Sequence, residues 1–122
     1  MKISDSKLQT ICPVLSTSNL ERDIAWYNKY IGFNLTYQEE GYAVLNRENI
    51  WIHLQWHHNN NEDPVYGSTA KIFVEDIQPI FEEMLQREAI TKDKLRLNTP
   101  WHTHEFGFYD LNKNALFFVQ DA

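Results

Sequence analysis

Positive charge is in short supply in this chain. Its 122 residues carry 11 Lys and Arg against 17 Asp and Glu, a formal net charge of −6. Phosphate backbones and anionic membrane surfaces are therefore poor partners, and cationic or neutral ligands suit the field better. Cysteine is scarcer still. Cys12 stands alone, so no internal disulfide can form and a reducing cytoplasm is the expected compartment. No apolar run approaches the roughly 18 residues that a membrane-spanning helix needs. The opening stretch "MKISDSKLQT" has no apolar block of the kind that marks a signal peptide. Also absent are a Gly-rich phosphate loop, a Gly-x-Ser-x-Gly elbow and a second cysteine for redox work.

What is present suits a globular protein: 43% hydrophobic and 23% charged residues, a length fitting one domain or two half-domains sharing a core. Four Trp, six Tyr and seven Phe exceed what a small core requires. Alternation predicts a strand over 8–16 with an early proline, Pro13, which an edge tolerates. Ser18 or Asn19 then caps a helix with Leu20, Ile24, Tyr27 and Ile31 at helical spacing, stopped by Gly32. Strands follow at 33–38, 42–46 and 49–56, then an Asn-rich loop from Asn59 to Pro64. A strand at 68–75 and a helix over 76–89, capped by Asp76, open the second half. A weak segment at 94–98 and strands at 104–110 and 114–120 complete it.

The order strand, helix, strand, strand, strand thus occurs twice, which calls for a test of internal repetition. A shift of 57 lays Asn19-Leu20 on Asp76-Ile77 and Ile24 on Phe81. A shift of 64 lays Leu45-Asn46 on Tyr109-Asp110 and Ile52-His53 on Leu116-Phe117.

"LSTSNLERDIAWYNKYIGF" followed by "TPWHTHEFGFYDLNKNALFFVQ" resembles the vicinal oxygen chelate superfamily, which includes glyoxalases and bleomycin-resistance proteins. The turn "DLNKN" (110–114) departs from the family pattern by lacking its proline and glycine. The resemblance implies an α+β fold: two βαβββ modules, about 8–58 and 66–120 of a single domain spanning 1–122, forming a curved mixed sheet around a cavity and paired in a homodimer. It places metal-ligand positions at Cys12, His53, Thr69 and Phe117. A divalent ion needs several strong donors in a fixed geometry. Thr69 is a weak donor and Phe117 none, so no metal and no cofactor are expected. His102 and His104, at alternate spacing, together with His53 offer an adventitious zinc site at the cavity mouth, against the plainer reading of polar rim residues.

Period two sorts the aromatic strand "NIWIHLQW". Ile50, Ile52, Leu54 and Trp56 go beneath the helices, and Trp51, His53 and Gln55 face the cavity. Likewise Thr69, Lys71 and Phe73 face inward while Ala70, Ile72 and Val74 do not, and Ala115, Phe117 and Val119 face inward from the last strand. By resemblance, Trp101 and Tyr37 match residues that clamp the flat bithiazole of bleomycin. Aromatic stacking is worth about 0.5–1.5 kcal/mol per contact beyond its area. Two readings stand for Trp101, ligand stacking or a loop anchor against its own sheet. Two stand for Phe73 and Phe117, ligand contact or cavity filling.

The expectation is a metal-free cytoplasmic binding protein of the bleomycin-resistance type, sequestering an aromatic, cationic small molecule in a dimer cleft. Its ligand residues would be Tyr37, Trp51, His53, Gln55, Phe73, Trp101 and Phe117, with no catalytic residue, nucleic acid or membrane involved. The alternative is a lyase, isomerase or dioxygenase of the glyoxalase superfamily with an altered metal set on Cys12 and His53. A third reading is a regulatory or structural module whose cavity its own aromatics fill.

Overall fold

The computed structural model describes residues 1–122. In chain order it contains β1 (Val14–Thr17), α1 (Leu20–Ile31), β2 (Asn34–Glu39), β3 (Tyr42–Arg47), β4 (Ile50–Trp56), β5 (Thr69–Phe73), α2 (Ile77–Gln86), β6 (Thr103–Tyr109) and β7 (Ala115–Asp121). Asn19 caps α1 by accepting from the Arg22 backbone N–H, and Gly32 ends it in the left-handed region at φ 70°. Asp76 caps α2 in the same way through Gln78. These are the residues that the capping chemistry singles out in the sequence.

The strands form two mixed sheets, ordered β1-β4-β3-β2 and β5-β7-β6. In each, the first strand runs parallel to the last and the remaining pairs are antiparallel. The second sheet would match the first strand for strand if one more followed β6. Only a single bridge, Arg96 to Glu105, stands there, in place of the strand expected at 94–98.

Register explains two further departures. Val14 lies opposite His53, which carries Ile11 level with Ile50, the first residue of β4. Before Ile11 the facing chain has already turned away at 48–49, and between there and Val14 stands Pro13, which has no N–H to give although its carbonyl accepts from His53, so the strand expected over 8–16 begins only at Val14. Leu45 pairs with Ile52, and Phe108 with Leu116. Leu45 therefore corresponds to Phe108 and not to Tyr109. The β6–β7 turn is one residue longer than its counterpart, so a shift of 64 holds for the last strand and 63 for the one before it.

Both helices and the inner sheet faces share one 16-residue core, including Tyr27, Phe33, Leu54, Phe81, Phe106 and Leu116. Each hairpin of one half also grips the helix of the other. The Arg47 guanidinium at the end of β3 donates twice to Glu83 on α2, at 2.6 and 2.7 Å. The β6–β7 turn reciprocates. Asp110 accepts from the Tyr27 hydroxyl of α1 at 2.5 Å, and Asn112 donates to Asp23 at 2.6 Å. Asp23, Tyr27, Asp110 and Asn112 are all buried, yet no buried side-chain donor or acceptor lacks a partner, so the joint avoids the desolvation penalty of an unmade bond.

Candidate functional site

Cross-strand partners share a sheet face. Asn46 lies opposite Trp51, Val44 opposite His53 and Tyr42 opposite Gln55. Tyr37 then lies beside Val44, and Glu39 beside Tyr42. Tyr37, Trp51, His53 and Gln55 therefore occupy one face, turned away from the core, while the intervening Ile52 and Leu54 are buried. Trp51 is 39% and Tyr37 56% exposed. Trp56 departs from expectation. Its indole N–H donates to the Ser18 carbonyl at 3.1 Å and its ring meets His58, so it closes the sheet's end rather than packing beneath a helix.

On the second sheet Lys71, Phe117 and Gly107 form one row, and Phe73, Val119 and Glu105 the next. The Phe117 ring lies down on Gly107: a Cβ there would come within 2.5 Å of two ring carbons. Phe73 stands 60% exposed. The Trp101 indole N–H donates to Glu105 Oε1 at 2.7 Å, and the Arg96 guanidinium stacks on the ring at 4.9 Å. Trp101 is thus anchored to its own sheet, while half its surface stays open.

Between the sheets lies a cavity of about 650 Å³ lined by Cys12, Trp51, His53, Lys71 and Phe73, among others. Its volume falls in the usual range for small-molecule sites. A shallower hollow of about 430 Å³ adjoins it and shares Ile50, Ile72 and Phe73. The cavity brings Trp51, His53 and Phe73 together. Tyr37 and Gln55 share the face but lie outside the cavity, Phe117 lines a separate hollow of about 270 Å³, and Trp101 stands apart at the far end of the second sheet.

One partner escaped the sequence reading. The Tyr42 hydroxyl sits 2.6 Å from His53 Nδ1, with the two rings edge to face. Burial, with the Cys12 thiol and Glu39 carboxylate nearby, pushes that hydroxyl above its ordinary range, so it stays protonated. Tyr42 alternates with Val44 and Asn46, and the β3–β4 register would have paired it with this row. Cys12 is also held protonated by burial, and its thiol is 3.4 Å from the Trp51 carbonyl, within donating distance.

The donor set does not fit a metal. No three His, Cys, Asp or Glu side chains converge, and neither Thr69 nor Phe117 lines the cavity that holds Cys12 and His53. His102 and His104 do not share a strand face: His102 lies in a turn at φ 66°, and His104 Nδ1 accepts from the Asn98 backbone N–H. No helix is long and apolar enough to cross a membrane.

No family model matches the chain. A bleomycin resistance protein of Geobacillus stearothermophilus is 25% identical, aligned over 93% of this chain and 96% of its own; one from Staphylococcus aureus matches to the same extent. A bleomycin-binding protein solved in complex with bleomycin superposes at a TM-score of 0.76 with 13% identity, covering 94% of this chain and 100% of the other. A glyoxalase/bleomycin resistance protein/dioxygenase from Nocardioides gives a TM-score of 0.75 at 14% identity, covering 98% and 87%. With two mixed sheets, each carrying a helix, and a cavity between them, the chain has the vicinal oxygen chelate fold of these glyoxalase/bleomycin resistance protein/dioxygenase structures.

Proposed function

We propose that this protein sequesters a flat small molecule without transforming it and without a metal, in the manner of bleomycin resistance proteins, with a second copy of the chain completing the cleft. One observation carries the reading: a single sheet face presents Tyr37, Trp51, His53 and Gln55 together, beside a cavity walled by Trp51 and Phe73. Flat surface with a few placed polar groups is the usual make-up of a ligand pocket. An altered metal set on Cys12 and His53 finds no third His, Cys, Asp or Glu donor, and the Cys12 thiol lies against the Trp51 carbonyl, which is no base. The Tyr37 hydroxyl donates to Glu39 at 2.9 Å, so one carboxylate sits at the rim of the aromatic row, where a cationic group of the ligand would be matched. Exposed apolar side chains on the leading segment, Ile3, Leu8 and Ile11 among them, support a partner copy.

Titration with bleomycin, followed by tryptophan fluorescence, tests the reading. Trp51 lines the cavity, so micromolar ligand should quench or shift the emission at a stoichiometry of one site per chain. An unchanged spectrum up to 100 micromolar (on the order of 5 kcal/mol of binding energy) removes the drug as ligand.

A further inference from the structure

We infer that the cavity between the sheets is a hydrogen-bond donor site, built to hold a carboxylate or similar oxyanion carried on a flat ring. The inference rests on the flat-ligand reading above and specifies which end of the ligand enters the cavity. The whole protein is acidic, yet no carboxylate lines this cavity, and its one permanently charged group is Lys71. Glu48 and Glu75 face the adjoining hollow instead. The Cys12 thiol stays neutral and lies beside the Trp51 carbonyl.

Tyr42 decides what His53 offers. A phenol is a stronger acid than a neutral imidazole, and an imidazole nitrogen is the better base, so the short contact is O–H to Nδ1. The remaining proton of neutral His53 is then on Nε2, which leaves a donor for the ligand. Were His53 to gain a proton, Nδ1–H would point at the Tyr42 oxygen and Nε2–H would still donate. Tyr42 from β3 touches His53, and Cys12 from the leading segment and Lys71 from β5 line the same cavity; Glu39 from β2 lies one row over, beside Tyr42, and Lys71, the one cation of the set, also acts on Glu105 of β6. Tyr42 is thus a positioning residue, and His53 and Lys71 are the contacts. Tyr37 and its carboxylate partner stand two strands from His53, about 10 Å at ordinary strand spacing, so a ligand with opposite charges at its two ends would span the face.

The test uses two probes with one flat ring and opposite charge, 2-naphthoate and 2-naphthylmethylammonium, titrated into the full-length protein by amide chemical-shift perturbation at pH 7.5. Naphthoate should bind at least about tenfold more tightly, the scale of one charged hydrogen bond, against the sign of the net charge. Lys71→Met should remove most of that preference. Tyr42→Phe should weaken naphthoate several-fold, and the side-chain nitrogen shifts of His53 should move from a pure Nε2–H pattern to a mixed one. Equal or tighter binding of the ammonium probe overturns the donor site while leaving the flat-ligand reading standing. A preference that survives both substitutions, or a native His53 protonated on Nδ1 alone, overturns it as well. If neither probe binds, both readings fall. The selectivity and nitrogen shifts of the native protein need no variant, so a poorly folding substitution leaves the outcome decidable.

Discussion

At Lys113 the backbone enters the left-handed region, φ 65°, in the turn that grips α1. This is the position where the family pattern has glycine, and the chain keeps the conformation without the residue that adopts it freely. A Cβ in that region costs about 1–2 kcal/mol, part of which glycine returns as unfolded-chain entropy. Lys113→Gly should therefore stabilise the protein by about 0.5–1 kcal/mol, readable as a higher denaturant midpoint with an unchanged slope. Gly67 across from it must remain glycine, because an added Cβ would lie 2.2 Å from the Lys113 carbonyl oxygen. The same residue-scale logic fixes Phe117. Its ring occupies the space left by Gly107, so it packs on its own sheet, outside the cavity between the sheets.

At the scale of elements, α2 is tied down through Glu83, which accepts from Arg47 of β3 and from Arg87 one turn on, at 2.6 and 2.7 Å. The Arg47 bond, helped by Arg87 and opposed by partial burial, lowers the Glu83 carboxyl from 4.5 to about 2. A carboxyl depressed in the folded state adds stability above its unfolded value and loses it as pH falls through the folded one. Stability should drop between about pH 4.5 and 2, and Glu83→Gln should flatten that part of the curve. The difference near neutral pH is on the order of 1–2 kcal/mol once solvent screening is allowed for, measurable by urea melts across the window.

Much of the element layer was legible in the sequence. Asn19, Gly32 and Asp76 mark helix ends because capping is local chemistry, and period two alone sorted Trp51, His53 and Gln55 from Ile52 and Leu54. What escaped was non-local. The one-residue slip of the repeat depends on a turn length, and the Tyr42–His53 contact depends on strand register. The Tyr27–Asp110 bond joins residues 83 positions apart, and nothing in either neighbourhood announces the other. The cavity itself gathers only three of the seven anticipated ligand residues, because sharing a face is weaker than sharing a hollow.

At the scale of the whole molecule, the leading segment exposes Ile3, Leu8 and Ile11, and the open sheet faces expose Tyr37, Trp51 and Phe73, apolar surface of the kind that a partner covers. Sedimentation equilibrium at micromolar concentration should accordingly return twice the mass of the chain, and Phe73→Glu, which plants a charge on the open face, should shift the population towards the single chain. A monomer at all concentrations would confine ligand capture to the intramolecular cavity.

The reciprocal hairpin grips carry a consequence for timing. Two halves that hold each other's helices have no free hinge between them, so the gap between the sheets is set before any guest arrives. Capture then needs no closing motion, and the arrival rate should be governed by diffusion and orientation. How long the guest remains is decided by the contacts it makes and not by a door.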